Sequence, residues 1–347
     1  MRRLFFLVLV LMLVGMSGWI IRSRAAVPGS KTVVEVAPAR LDIQSGTARG
    51  QLPLYVSADW SKPLPDITRV VLVLHGILRD ANVSYAGGLQ ALSAAGDTVG
   101  TTLVIAPQFL TAADAAAHRL GAETLTWERD NWTGGGDAMA PAAISSFVAV
   151  DAILARLADT ALFPNLKHVV VAGHSGGGQI VQRYAVVGKG ESKITERGIA
   201  VRYVVANPSS YVYFNDRRPQ AEVSGGASCA EFNAWKYGFA AGLPAYVDQS
   251  TQTYAQRYAA RDVIYLLGTK DTNPRHPALD KSCMAQAQGA NRYARGHGYF
   301  DQLRAEFGAG LTHKLYDVAD VGHAGPKMFA SKCGLAALFD QPGCAAK

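Results

Sequence analysis

The stretch His168-Val169-Val170-Val171-Ala172-Gly173-His174-Ser175-Gly176-Gly177-Gly178-Gln179-Ile180-Val181-Gln182-Arg183-Tyr184-Ala185 carries the reading of the whole chain. Its first five residues are nearly all apolar and rich in valine, the composition of a central strand covered on both faces. From Gln179 onward the spacing of apolar residues is helical. Between strand and helix stands Gly-x-Ser-x-Gly, a turn so tight that side chains beside the serine would collide with neighbouring strands. The turn strains the serine backbone and sets it at a helix N-terminus, where unpaired N–H groups favour negative charge. Ser175 is therefore the candidate nucleophile.

Outward from this turn, short β-branched runs at 51–58, 70–74, 102–106, 201–206, 263–267 and 314–318 alternate with helical stretches at 142–159, 179–187 and 280–307. That alternation predicts an α/β fold, a mostly parallel sheet with helices on both faces. The 347 residues, 49% hydrophobic and 18% charged, suffice for one large domain with an insertion. The domain is expected over 51–347, after a linker and first strand in 27–50. A small cap is expected at about 211–260, with short helices near 230–239 and 254–261.

A serine needs a base, and histidine is suited because its ordinary pKa leaves it largely neutral near pH 7. Among eight histidines, His323 sits in Val321-Gly322-His323-Ala324-Gly325-Pro326, just past the last expected strand. A loop at the carboxyl edge of a parallel sheet is where the base belongs. His174 is expected to point away from the serine, and His118, His168, His276, His297 and His313 to be surface or packing residues. Asp271, after the strand 263–267 and the turn at Gly268, is the expected partner of the base; Asp317 and Asp320 are the alternatives. The oxyanion donors are expected to be the backbone N–H groups of Gly176 and of Ile77, the latter following the strand end Leu74-His75-Gly76. Trp132, in Asp130-Asn131-Trp132-Thr133-Gly134-Gly135-Gly136-Asp137, and Tyr211 and Tyr213, just after the strand 201–206, are candidate substrate-binding residues, with core packing an equal explanation of the tyrosines. The glycine run lacks the Gly-Lys-Ser/Thr ending of a phosphate loop.

The strand with His75-Gly76, the turn at Ser175, the post-strand Asp271 and the late His323 resemble the α/β-hydrolase superfamily over roughly residues 50–335. The resemblance implies serine hydrolase chemistry, in the chain order Ser, Asp, His. A serine at 175 argues against the haloalkane dehalogenases and epoxide hydrolases, which use aspartate there. The oxyanion segment lacks the His-Gly-Gly-Gly form of the hormone-sensitive-lipase-like branch. Esterases, lipases, polyester depolymerases, acyltransferases and peptidases share these motifs, so a small-molecule or polymeric ester is the expected substrate. Amide cleavage, acyl transfer, and binding without catalysis are the alternatives.

Met1-Arg2-Arg3 followed by the apolar run 4–21 reads as an export signal with cleavage after Ala25. The run is also about long enough to span a bilayer, so residues 1–26 are expected to be either a signal peptide or a membrane anchor. Either way the remainder works outside the cytoplasm, secreted or periplasmic. Cys229, Cys283, Cys333 and Cys344 then favour disulfides, with Cys229–Cys283 and Cys333–Cys344 preferred among three pairings because the second closes a short loop; four buried thiols are the alternative. Arg2, Arg3, Arg22 and Arg24 contribute four of the formal charge of +7, leaving +3. No basic stretch interleaves with aromatics, which excludes nucleic acid as a partner. No residue pattern calls for a cofactor, and no spacing suggests a metal site.

Overall fold

The alternating side chains of the strand His168–His174 enter two different cores. Val169 and Val171 join one buried cluster, Val170 and Ala172 another. This two-residue period places the strand between two layers of helices. A computed structural model describes residues 31–96, 99–220, 229 and 231–347; the expected leader at 1–26 lies outside them. Among these residues the sheet has eight strands: β1 (Ala39–Ser45), β2 (Ala48–Val56), β3 (Arg69–Leu74), β4 (Thr102–Pro107), β5 (His168–His174), β6 (Ala200–Ala206), β7 (Asp262–Gly268) and β8 (Lys314–Val318). Their order is β1-β2-β4-β3-β5-β6-β7-β8. The β1–β2 and β2–β4 pairs are antiparallel, and every pair from β4–β3 to β7–β8 is parallel.

The helices are α1 (Ala81–Ala95), α2 (Ala112–Ala117), α3 (Ser146–Leu157), α4 (Gly176–Val187), α5 (Glu191–Thr195), α6 (Thr251–Ala260), α7 (Cys283–Gln286), α8 (Arg292–Phe307), α9 (Gly325–Phe329) and α10 (Lys332–Phe339). Ile153 of α3, Val181 of α4, Tyr258 of α6 and Leu303 of α8 belong to the larger cluster. Leu92 of α1, Met328 of α9 and Leu338 of α10 belong to the cluster on the opposite face. The parallel registers Leu74↔Gly173, His174↔Ala206, Ala206↔Leu266 and Gly268↔Val318 bring the carboxyl ends of β3, β5, β6, β7 and β8 to one edge. Every candidate catalytic residue follows one of these ends.

Some expected elements differ in extent. The two N-terminal strands form a hairpin turning at Gly46, whose φ of 60° suits glycine, so the second begins at Ala48 rather than 51. The expected helix 280–307 is two helices, because Gly289 takes φ 144° and the Asn291 side chain caps the start of α8 by accepting from the Ala294 N–H. Residues 231–239 run in turns instead of a helix. Backbone carbonyls there serve other groups: Arg218 Nη2 donates to Tyr237 O at 3.0 Å and Arg183 Nε to Lys236 O at 3.0 Å. Two disulfides, Cys229–Cys283 and Cys333–Cys344, close the sequence separations of 54 and 11 residues. Among the described residues, no helix is long and apolar enough to cross a membrane.

Candidate active site

Ser175 joins β5 to α4 with φ 60° and ψ −118°, a conformation that costs a non-glycine residue energy and is sustained by its surroundings. The surroundings are tight. A Cβ on Gly173 would lie 2.3 Å from the Gly177 carbonyl carbon, and one on Gly177 would lie 2.0 Å from Leu74 O. Only glycine lets the turn sit this close to the end of β3. The Ser175 N–H donates to Ala206 O at 3.0 Å, tying the turn to β6 as well.

His323 reaches the serine from the loop between β8 and α9. Its Nε2 stands 3.0 Å from Ser175 Oγ and its Nδ1 2.7 Å from Asp271 Oδ2. With Nδ1 donating to the carboxylate, Nε2 is left to accept from the serine hydroxyl. Burial lowers the His323 pKa; the hydrogen bond to Asp271 pulls it up and the charge of Arg292 pulls it down, and it settles below the ordinary 6.5. The imidazole is thus neutral at pH 7, as a base requires. The alternatives to Asp271 are not brought to the site: Asp317 is engaged by His297, Tyr293 and Lys347, and Asp320 by Lys270.

Behind Asp271 lies an ion pair that the sequence did not disclose. Arg292 Nη1, at the start of α8, is 3.4 Å from Asp271 Oδ1, and both side chains are buried. The same guanidinium donates to Ala278 O at 2.6 Å and to Ser209 Oγ at 3.1 Å. Asn207 supplies a second brace, accepting from Gly268 N–H at 3.0 Å and reaching Gly322 O at 3.4 Å, so one side chain links the Asp271 turn to the His323 loop.

Gly176 and Ile77 come together. A Cβ on Gly176 would lie 2.9 Å from Ile77 N, so the first turn of α4 packs against the loop after β3. As the first residue of α4, Gly176 has an N–H without a carbonyl partner inside its helix. The Ile77 loop is pinned from beneath. Buried His75 accepts from Phe109 N–H through Nε2 at 2.9 Å, which leaves Nδ1 to donate to Gly76 O at 2.8 Å. Burial pushes the His75 pKa down to about 4, so this neutral tautomer persists. Arg79 holds the far side through a buried pair with Asp114, Nε to Oδ2 at 2.7 Å.

A cleft of about 380 Å³ opens over Ser175 and His323, with apolar walls from Leu78, Val83, Pro326 and Phe329. Two histidines assigned elsewhere by sequence line it. His174 does not point away: its ring centroid lies 4.4 Å from that of His323, and His276 lies 4.9 Å from the same ring. The reverse holds for three expected substrate contacts, which the structure does not bring to this cleft. Trp132 is fully buried, stacked on Phe109 at 5.2 Å and set edge-on to His75 at 4.6 Å, so it supports the Ile77 loop from below. Tyr211 stacks on Tyr299 at 4.5 Å, and Tyr213 packs edge-on to the same ring with Arg218 above it. Burying these large rings in the core outweighs placing them in a solvent-facing cleft.

No protein-family model and no curated protein matches this chain. Similar solved structures do exist. Poly(aspartic acid) hydrolase-1 from Sphingomonas sp. KT-1 superposes with a TM-score of 0.55 and 20% identity, covering 84% of this chain and 96% of that one. Poly(3-hydroxybutyrate) depolymerase from Bordetella parapertussis superposes with a TM-score of 0.56 and 21% identity, covering 88% of this chain and 92% of that one. At such identities the likeness concerns architecture. Sheet order, the Gly-x-Ser-x-Gly turn between β5 and α4 and the structural neighbours together identify the chain as having the α/β-hydrolase fold.

Proposed function

We propose that this protein is an exported serine hydrolase that cleaves carboxylic esters through an acyl-enzyme. The observation that carries the reading is the unbroken hydrogen-bonded series Ser175–His323–Asp271, with spacings of 3.0 and 2.7 Å, on a strained serine at a helix N-terminus. His323 takes the Ser175 proton as Oγ attacks the ester carbonyl. Asp271 stabilises the imidazolium that forms, and the N–H groups of Gly176 and Ile77 receive the oxyanion. The protonated His323 then gives its proton to the departing alcohol. A water molecule, deprotonated by the same ring, releases the acid.

The apolar cleft of about 380 Å³ suits a small or segmental acyl group and supports ester chemistry on a small-molecule or polymeric substrate. Export is supported by the basic start and apolar run of residues 1–21 and by two disulfides, which persist in oxidising compartments. The leader also leaves membrane attachment open as a mode of retention. Amide cleavage is the second reading, because one structural neighbour is named for a polyamide and the other for a polyester. A panel of chromogenic esters and aminoacyl anilides, run on mature protein and on Ser175→Ala, tests both. Ester turnover by the mature protein and none by the variant is expected. Turnover of anilides alone replaces the ester reading, and turnover of neither, with or without acceptor alcohols, leaves a binding protein.

A further inference from the structure

A second cavity, of about 290 Å³, meets the catalytic cleft at Ile77 and Ala278, which line both. Its character is different. Polar and charged groups from Arg129, Lys236, Asp130, Asp280 and Gln179 face it. Both carboxylates are already engaged: Asp130 by Lys236 Nζ at 3.1 Å, and Asp280 by the Tyr237 hydroxyl at 2.6 Å and the Ser282 N–H at 3.0 Å. Donors are left over.

Gln179 is the best defined of them. It stands one helical turn after Ser175 on α4 and is 5% exposed. Its Oε1 accepts from Arg183 Nη1 at 3.2 Å and from Ser210 Oγ at 3.1 Å. A guanidinium only donates, so the amide cannot be turned round. The Nε2 group therefore points away from Arg183, and among the described residues it has no partner. Arg129, exposed on the rim of the same cavity, also has no partner for its guanidinium among the described residues.

We infer that this cavity is a second substrate subsite, in which Gln179 Nε2 and Arg129 bind a carboxylate carried by the ester substrate beyond its scissile bond. The inference rests on the ester hydrolase reading and narrows it to acid-bearing esters. Gln179 Nε2 opens on the cavity with no acceptor among the described residues taking its hydrogen bond, so an acceptor oxygen of the ligand can take it, and the site favours substrates that carry that oxygen.

The test compares kcat/KM for monoethyl esters of four- to eight-carbon dicarboxylic acids with that for ethyl alkanoates of equal length. A second pair, 4-acetoxybenzoate and phenyl acetate, places the carboxylate on the alcohol side. The native protein is expected to favour the acid-bearing member of one series by at least about tenfold. Gln179→Glu keeps the acceptor for Arg183 and Ser210 but replaces the donor by a negative charge, and should abolish that preference, chiefly through KM. Arg129→Ala, at an exposed position, should reduce it about threefold. A native protein that cleaves the neutral esters without any preference overturns the subsite while leaving the hydrolase reading intact. A preference that survives both substitutions does the same. If Gln179→Glu fails to fold, an unchanged preference in Arg129→Ala overturns the subsite by itself. Failure of the native protein to cleave any ester refutes the hydrolase reading instead.

Discussion

Replacing Asp271 by Asn removes a charge without changing shape, and the geometry sets the size of the effect. His323 becomes cationic as Ser175 attacks, and the carboxylate oxygen is 2.7 Å from Nδ1. At an effective dielectric constant near 20, one pair of charges at that spacing interacts by about 6 kcal/mol. Each 1.36 kcal/mol is about a factor of ten in rate, so losing the whole pair sets an upper bound of somewhat more than four powers of ten. The amide also favours the tautomer with Nδ1 unprotonated, which takes the acceptor away from Ser175. Arg292 lowers activity further, because its buried guanidinium then faces the imidazolium without a compensating anion. We expect kcat for a neutral ester to fall by about 10³ to 10⁴. Asp317→Asn and Asp320→Asn, whose carboxylates are held by other partners, should stay within about threefold of the native protein. Steady-state kinetics on the three variants, with circular dichroism to verify folding, checks this. Near-native kcat in folded Asp271→Asn, or an equal loss in Asp317→Asn, refutes the assignment.

Other consequences concern acidity, packing and cross-links. Because His323 has a pKa below 6.5, the acid limb of kcat/KM should bend below pH 6.5, with activity lost as pH falls through that pKa and the base becomes protonated; an inflection above 6.5 contradicts the balance of burial and Arg292. Gly177→Ala would put a Cβ 2.0 Å from Leu74 O, so the variant should lose at least about 2 kcal/mol in urea unfolding and most of its activity. Breaking Cys229–Cys283 by double serine substitution should cost about 4 kcal/mol and breaking Cys333–Cys344 about 3 kcal/mol, because the first closes the longer span of 54 residues against 11; denaturant titration of each double variant measures the difference.

The parallel sheet and its shared carboxyl edge were legible in the sequence because each strand carries its own signal. Val169-Val170-Val171 announces a central strand, and residues placed just after strand ends must share an edge in a parallel sheet. That reasoning brought Ser175, Asp271 and His323 to one place, and Gly176 beside Ile77. What it could not supply is contact between segments with no common period. Arg292 lies 21 positions beyond Asp271 on a helix whose start is set by Asn291, and nothing in its neighbours marks it as the partner of that carboxylate. His276 and His174 looked like bystanders for the same reason. Trp132, Tyr211 and Tyr213 erred in the opposite direction. The tyrosines after the strand 201–206 fit a pocket and a core equally by composition, and Trp132 in its glycine-rich loop fits a pocket wall or a surface loop; only tertiary packing, on Tyr299 for both tyrosines and on Phe109 for Trp132, decides.

The central claim is that Ser175 is a nucleophile activated by His323. The measurement that tests it most directly is reaction of the folded protein with a fluorophosphonate, followed by peptide mass spectrometry to locate the adduct. The account predicts one phosphonyl group, on the peptide containing Ser175, with the rate of labelling falling as His323 becomes protonated below pH 6.5. Absence of labelling, or an adduct on another residue that persists in Ser175→Ala, contradicts it.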